Sequence, residues 1–312
     1  MHTAVLFLVF NRPHTTARVF DAIRSARPPR LYVSADGPRA GNAHDAAACA
    51  QVREIAARVD WPCEVRTLLR GTNAGCGRAV ASGIDWFFEH EIEGIILEDD
   101  CLPHADFFPF CEELLARYRD HAGVMSVSGD CYHHPAKSHG ASYTFSRYPQ
   151  VWGWATWQRA WRFNDAAMAE WPRLRDAGWL DRLGQGQRDF TAFWTDTFDA
   201  AHAGRIDTWD YQWVFSCWLH GGLAALPARN LVANIGFGDS ATHTTARPPS
   251  WVRPAEPIEF PLVHPHEIVR DEAGDRWTDL NLFQTRRHAR RRLLARIPSL
   301  RSGVRQLRRL LA

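Results

Sequence analysis

The chain has 312 residues, of which 46% are hydrophobic and 23% charged, and its formal net charge is +2. This length allows one large α/β domain or two domains that share a cleft, and the composition is typical of a soluble globular protein. The small net charge argues against a nucleic-acid partner. No apolar run approaches the ~20 residues that span a bilayer, so any membrane contact is expected to be peripheral.

The first 130 residues alternate between apolar runs and helical patterns. The runs that predict strands are residues 4–10, RLYVSA, EVRTLLR, GIILEDD and VMSVSGD. The helical patterns between them are the segment with Val19, Phe20 and Ile23, roughly residues 45–59, NAGCGRAVASGIDWFFEH and DFFPFCEELLARYR. This alternation predicts an α/β fold with a mostly parallel sheet covered by helices on both faces.

Polar residues follow four of these predicted strands at the point where each strand ends. They are Asn11 and Arg12, Asp36 and Gly37, Arg70 to Asn73, and Glu98 to Asp100. In open parallel sheets, ligands bind outside the carboxyl ends of the strands. Any one of the four is more often a solubilising turn, but the four together predict a binding site at one edge of the sheet.

Glu98, Asp99 and Asp100 are consecutive carboxylates at the end of an apolar strand. Adjacent carboxylates repel one another and resist leaving water, so a cation is expected beside them. Mn²⁺ or Mg²⁺ fits, because such an ion takes one or two carboxylates together with phosphates. Neighbouring strand residues point to opposite sides, so at most two of the three can face one ion.

Tryptophan is concentrated between residues 152 and 218, where ten occur. This pattern predicts a mainly helical second half that packs against the sheet, with most of the rings in the core. Trp152 and Trp154 flank Gly153, where a ligand can approach closely. For these two, stacking on a sugar and packing in the core are equal alternatives.

A second polar cluster, NIGFGDSATHT, occupies residues 234–244. Its glycines and hydroxyls predict a loop that closes over a diphosphate. His243 would then donate to a phosphate or bind the metal, and the alternative is a simply exposed histidine.

ILEDDCLPHADFF resembles the acidic segment of the glycosyltransferase A fold, whose D-x-D-type motif holds a metal and a nucleotide-sugar. The resemblance is to the N-acetylglucosaminyltransferase I group and to related bacterial sugar transferases. LVFNRPHTTARVFDAI, SADGPR, VWGWATWQRAW and TWDYQW are similar to further segments of that group, so the resemblance covers about residues 3–245. It implies a Rossmann-like, mostly parallel sheet with a Trp-rich, mainly helical acceptor half.

The resemblance also implies roles for single residues. Arg12 would contact the uracil of the donor, Asp36 would meet the base, and Asp100 would be the direct metal ligand. Other donor-binding residues are then expected among the remaining strand-end and Gly-Trp positions, namely Asn11, Arg70, Asn73, Glu98, Asp99 and Trp154.

Asp210 in TWDYQW is implied to be the catalytic base, in a tryptophan-rich segment that would raise its pKa by desolvation. Tyr211 stands where the group has a second aspartate. The competing interpretation is that Asp210 caps a helix that begins near Tyr211. Asp207 is the second candidate for the base.

The implied activity is a metal-dependent, inverting transfer of a sugar from a nucleotide-diphosphate sugar, UDP-linked, to a hydroxyl of a glycan or lipid-linked saccharide. Bacterial surface polysaccharide synthesis is the implied pathway. A nucleotidyltransferase that makes nucleotide-sugars is one alternative, but FNRPHTT lacks the glycine-rich loop that cradles a triphosphate. A second alternative is a noncatalytic carbohydrate-binding protein, but such a protein would have no use for the acid cluster at Glu98 to Asp100.

The chain is expected to comprise a nucleotide-sugar-binding half at 1–130, an acceptor half at 131–250, an extension at 251–285 and a tail at 286–312. Seven cysteines without a CxxC pair predict reduced thiols in a cytoplasmic protein. TAVLFLVF lacks a positive flank and predicts a first strand, not a signal peptide.

The tail after residue 285 contains ten arginines, no acids and regularly spaced leucines. The spacing predicts an amphipathic helix that Pro298 interrupts. Such a segment suits the surface of an anionic membrane. The alternative is that its leucines pack on the protein or on a second copy.

Overall fold

The computed structural model of the protein describes residues 1–132, 140–237 and 249–295. The first part alternates strands and helices as predicted. Its elements are β1 (Val5–Val9), α1 (Pro13–Ala26), β2 (Arg30–Ala35), α2 (Ala43–Ala56), β3 (Glu64–Leu69), α3 (Cys76–Phe88), β4 (Glu93–Glu98), β5 (Cys101–Pro103), α4 (Phe107–Tyr118) and β6 (Val124–Ser128). The short strand β5 is an addition that the sequence pattern did not indicate.

The second part is mainly helical, as predicted, but it also contributes strands. Its elements are β7 (Tyr143–Ser146), β8 (Trp154–Trp157), α5 (Gln158–Trp161), α6 (Trp171–Asp176), α7 (Trp179–Leu183), α8 (Arg188–His202), α9 (Asp210–Leu219), β9 (Leu223–Pro227), β10 (Val232–Asn234), α10 (Glu272–Asn281) and α11 (Thr285–Ala295). None of the described helices is both long enough and apolar enough to cross a bilayer.

Eight strands form one sheet in the order β3-β2-β1-β4-β8-β6-β9-β7, and β5 pairs separately with β10. The pairs β3–β2, β2–β1, β1–β4 and β6–β9 are parallel, whereas β8 is antiparallel to β4 and β6. β7 is antiparallel to β9 at the edge. The sheet is therefore mostly parallel, and the carboxyl ends of its parallel strands lie at one edge.

The side chains of β1 alternate between two layers of the core. Val5 and Phe7 pack with α1, α2 and α4, whereas Leu6 and Leu8 pack with α3 and α9. Because both faces of the strand are buried, the sequence of β1 is apolar throughout. The fold is thus a Rossmann-like α/β fold with helices on both faces, as predicted.

α10 is fixed to the body of the protein by buried ion pairs. Asp275 and Asp279 are fully buried, and Arg147 Nη2 lies 3.1 Å from Asp279 Oδ2. Arg270 pairs with Asp275, and the Ser146 hydroxyl donates to the same carboxylate. Removing one partner of a buried pair typically costs ~3–5 kcal/mol, so this network holds the C-terminal segment against the sheet.

Candidate active site

A cavity of about 790 Å³ opens at the carboxyl edge of the sheet. It lies where the ends of β1 to β4 meet segments from the second half of the chain. Most of the predicted site residues line it, namely Arg12, Asp36, Arg70, Asn73, Glu98, Asp99, Asp100, Asp207 and Asp210. The parallel direction of the strands brings these residues together, and their individual roles stay predictions.

β4 ends at Glu98, so Asp99 and Asp100 lie in the turn that leads into β5. The neighbouring segment after β10 is tied to this turn, because Ile235 N donates to the carbonyl of Asp100 at 2.8 Å. At Gly236 an added Cβ would lie 2.2 Å from Asp100 Oδ2. Glycine is therefore required for the segment to pass this close to the acids.

The guanidinium of Arg12 bridges two of the three acids. Nη1 donates to Asp100 Oδ2 at 2.7 Å, and Nη2 donates to Asp99. Burial disfavours the charge of Arg12, but the two carboxylates outweigh burial and raise its pKa above the ordinary value. Arg12 is therefore itself one of the cations that lie beside the acids. The sequence had suggested a different role for this residue, as a contact to uracil.

Glu98 is the third acid, at the end of β4, and it lines the cavity. Burial first, and then the charge of Asp100, raise the pKa of Glu98 to about 8, although Arg12 acts in the opposite direction. The raised pKa favours the protonated form of Glu98, which lessens the repulsion among the three adjacent carboxyl groups.

Asp36 is buried and joins the loops that follow β2 and β3. Its carboxylate accepts hydrogen bonds from Gly37 N at 2.8 Å, from Ala74 N at 3.0 Å and from Asn73 Nδ2 at 2.8 Å. Three donors on one carboxylate hold both loops in place. Asp36 and Asn73 thus form a rigid part of the cavity wall, whereas their predicted contacts with the donor stay predictions.

Arg70 and Asn11 are held in different ways. The two terminal nitrogens of Arg70 donate to serine hydroxyls of β2 and α3 at 3.0 and 2.7 Å, which places the guanidinium in the cavity wall. Asn11 Nδ2 instead donates to Asp45 Oδ1 at 2.8 Å, and the same carboxylate pairs with Arg39. Asn11 is not among the residues that line the cavity, and its contact with the donor stays a prediction, whereas Arg39, which the sequence analysis did not single out, does line it.

Asp207 closes the N-terminus of α3 from a distant part of the chain. Its Oδ2 accepts from Cys76 N at 2.9 Å, and its Oδ1 accepts from Gly77 N at 2.8 Å. Gly75 has φ +84°, a conformation that favours glycine, and a Cβ there would lie 2.9 Å from Asp207. The carboxylate thus satisfies free N–H groups at the positive end of the helix and fixes its own segment beside the strand ends.

Asp210 is the first residue of α9 and lines the cavity. Its Oδ1 accepts from Tyr211 N at 2.9 Å and from the hydroxyl of Thr208. These contacts match the capping interpretation in part, because the carboxylate lies at the N-terminal end of the helix. The same position also presents the side chain to the cavity, so both of the roles considered for Asp210 are compatible with its place.

An aromatic wall of Trp152, Trp251 and Phe237 bounds another part of the cavity. The rings of Trp152 and Trp251 are stacked, with centroids 5.7 Å apart and planes at 28°, and Phe237 meets Trp152 edge-on at 5.9 Å. Partly exposed aromatic rings suit the apolar face of a sugar. The sequence did not point to Trp251, and it included Phe237 only as part of the predicted loop at residues 234–244, without a role for its ring.

Trp154 does not reach the cavity and is fully buried. Its ring stacks on Trp209 with centroids 5.6 Å apart, in the core layer that contains α3 and α9. The prediction that Trp154 binds the donor is therefore corrected, because β8 turns this side chain into the core. His243 lies outside the described residues.

Asp130, just after β6, is a buried acid that supports the aromatic wall. Its Oδ2 accepts from Trp152 N at 2.9 Å. Its Oδ1 has no hydrogen-bond partner in the described part of the chain. Burial raises the pKa of Asp130 well above its ordinary value.

Asp130→Asn is expected to stabilise the protein at neutral and alkaline pH. The pKa of Asp130 is higher in the folded than in the unfolded protein. Protonation of its carboxyl therefore adds its full contribution to the free energy of unfolding below about pH 4, and this contribution is lost as pH rises through the folded pKa. The amide keeps an acceptor for Trp152 N and carries no charge. The free energy of urea unfolding should match wild type near ~pH 4 and exceed it by about 1–3 kcal/mol near ~pH 8. A difference that stays constant with pH would contradict this expectation.

The carboxylate of Asp100 has the chemistry to hold a divalent cation. The described residues contain no group of three or more His, Cys, Asp or Glu that forms a metal cage. Mg²⁺ sites commonly use one or two carboxylates plus substrate phosphates, so a cage is not required. The side chain of Asp100 is 15% exposed and pairs with Arg12 through Oδ2. The donor set therefore fits Mn²⁺ or Mg²⁺ shared with a diphosphate.

Comparisons with known proteins do not identify a family for the chain. No protein-family model and no curated protein sequence matches the chain. Among solved structures, the chain is similar to a UDP-glucose pyrophosphorylase complexed with UDP-glucose, with 11% identity and a TM-score of 0.25. The match covers 47% of this chain and 62% of that chain. The function has therefore to be inferred from the residues that line the cavity.

Proposed function

We propose that the protein is a metal-dependent, inverting glycosyltransferase that moves a sugar from a UDP-linked donor to a hydroxyl group. The observation that carries the proposal is the meeting of Asp100 and Asp210 in one cavity, although they come from distant segments of the chain. One carboxylate suits the metal and diphosphate, and the other suits an acceptor hydroxyl. A binding protein would have no need for both.

In this proposal the chain binds the nucleotide along the strand ends of β1 to β4. Arg70 supplies positive charge there, and Asn73 and Asp36 shape the wall. Asp100 would hold Mn²⁺ or Mg²⁺, which when bound supplies Lewis-acid stabilisation of the charge that builds on the leaving diphosphate. Glu98 and Asp99 would serve the ribose or support the turn.

Asp210 is the proposed general base that removes the proton of the acceptor hydroxyl. Asp207 is less suited, because both of its oxygens already accept backbone N–H groups of α3. A single base that promotes one direct displacement inverts the configuration at the anomeric carbon. The aromatic wall would carry the acceptor, a glycan or lipid-linked saccharide, and bacterial surface polysaccharide synthesis is the proposed setting.

The nucleotidyltransferase alternative requires a cradle for a triphosphate after β1. Pro13 is at the start of α1 and lacks an N–H, and the loop before it contains no glycine. Arg12, the cation of that loop, is already paired with Asp99 and Asp100. These features favour a glycosyltransferase over an enzyme that binds a free nucleoside triphosphate.

The two reactions give different products from the same substrate. With UDP-sugars, Mn²⁺ and a panel of simple glycosides, the protein is expected to release UDP at a rate that added pyrophosphate does not raise. The product should have the inverted anomeric configuration by NMR. Formation of UTP and sugar 1-phosphate that depends on pyrophosphate would establish the nucleotidyltransferase instead.

A further inference from the structure

We propose that the outward face of α11 binds the surface of an anionic lipid bilayer. We call this the basic face, and it consists of Arg286, Arg287, Arg290, Arg291, Leu293 and Leu294. All six side chains are exposed. The proposal concerns where the protein sits, and it is independent of the reaction proposed above.

The opposite side of α11 is already used for packing on α8. The Thr285 hydroxyl donates to Asp189 Oδ2 at 2.7 Å, and His288 Nε2 lies 2.9 Å from Asp196 Oδ2. Arg292 Nη1 donates to a carbonyl of α8 at 3.2 Å. Positions 285, 288 and 292 share one helical face, so α11 is docked with a fixed side toward the protein.

The basic face has no acidic partner in the described part of the chain, and Arg287 contacts only the neutral side chain of Gln284. No described carboxylate pairs with Arg286, Arg290 or Arg291, whereas Arg292, on the docked side of α11, pairs with Asp196. Leu293 and Leu294 are 63% and 51% exposed. Four arginines beside two uncovered leucines form an amphipathic surface, which suits the boundary between lipid headgroups and acyl chains.

The charge of the remaining chain supports a defined orientation on such a surface. Ten arginines and no acids lie after residue 285, which leaves 27 Lys and Arg against 35 Asp and Glu in residues 1–285. An anionic bilayer would thus attract the basic face and repel the rest of the protein. Nucleic acid would satisfy the arginines but not the leucines, and the basic face has no aromatic ring for stacking on bases.

The test is flotation of the full-length protein with phosphatidylcholine vesicles that contain or lack phosphatidylglycerol. Arg286→Gln/Arg290→Gln/Arg291→Gln is compared with a control at three exposed arginines elsewhere, Arg18→Gln/Arg58→Gln/Arg205→Gln. Each arginine near an anionic surface contributes about a fivefold effect, so the first variant should partition roughly 100-fold more weakly and the control only slightly so. Binding should weaken at high salt.

A second pair of variants tests the leucines. Leu293→Ser/Leu294→Ser should weaken binding further, whereas Ile92→Ser/Val269→Ser, which changes two other highly exposed apolar residues, should not. These side chains are exposed, so folding measured by circular dichroism should be retained. Deleting α11 is a poorer test, because it would uncover α8.

Three results would overturn the proposal. The first is no binding of the full-length protein to anionic vesicles at low salt. The second is equal binding by the basic-face variants and their controls. The third is binding to duplex DNA, or self-association, that the same arginine substitutions abolish while vesicle binding is absent.

Discussion

Asp210→Asn is expected to lower turnover by at least ~10²-fold while donor binding stays nearly unchanged, since a general base contributes about 10²–10⁴-fold. Asparagine keeps an oxygen that accepts from Tyr211 N and the Thr208 hydroxyl, so the start of α9 should be preserved. Only the ability to take a proton is lost. Initial rates of UDP release set beside calorimetric affinity for the UDP-sugar separate the two effects.

Asp207→Asn is the matched comparison for this experiment. The amide can replace only one of the two oxygens that accept N–H groups of α3, so a loss of about 1–2 kcal/mol of stability is expected. Its effect on turnover should be smaller than that of Asp210→Asn. If Asp210→Asn keeps wild-type turnover and a folded Asp207→Asn variant is inactive, Asp207 is the general base.

Asp100→Asn is expected to lower turnover by at least ~10³-fold, which corresponds to the several kcal/mol that a Lewis acid contributes. The fold should survive, because Arg12 and Asp99 remain as a balanced pair. The asparagine oxygen still accepts from Arg12. Chelation of the wild-type protein with excess EDTA should remove activity, and Mn²⁺ or Mg²⁺ should restore it.

A direct measurement of the metal separates this prediction from a general loss of activity. Calorimetric titration of Mn²⁺ in the presence of UDP should show binding to wild type and none to Asp100→Asn. Glu98→Gln is the matched comparison for the metal alone, because it changes the neighbouring acid and leaves Asp100 in place, so the same titration should still show Mn²⁺ binding. Full turnover of the wild type in excess EDTA would reject the metal requirement.

The alternation of the first 130 residues was sufficient to predict five strands, four helices and a mostly parallel sheet. Each of these elements is specified by periodicity over a few residues, which a single sequence displays directly. The rule that ligands bind at the carboxyl ends of parallel strands grouped residues that the structure does bring to one cavity. Asn11 does not line that cavity, since its side chain donates to Asp45.

The strands in the second half of the chain could not be predicted in the same way. The prediction of a mainly helical region was correct, but β7, β8 and β9 complete the sheet. β8 is only four residues long and lies among tryptophans, so its pattern is ambiguous. Trp152 reaches the cavity and Trp154 does not, because Trp152 precedes β8 and is separated from it by Gly153, whose φ of +71° turns the chain.

The sequence by itself determined the elements of the first half, the edge at which polar residues gather and the presence of an acid cluster at a strand end. Only the tertiary structure decided which partners those residues meet. Asp207 caps α3 across 131 residues of chain, and Arg12 pairs with Asp99 across 87. Such contacts depend on how separate elements pack and leave no local periodicity, so a single sequence cannot display them, whereas strands and helices follow from neighbours a few positions apart.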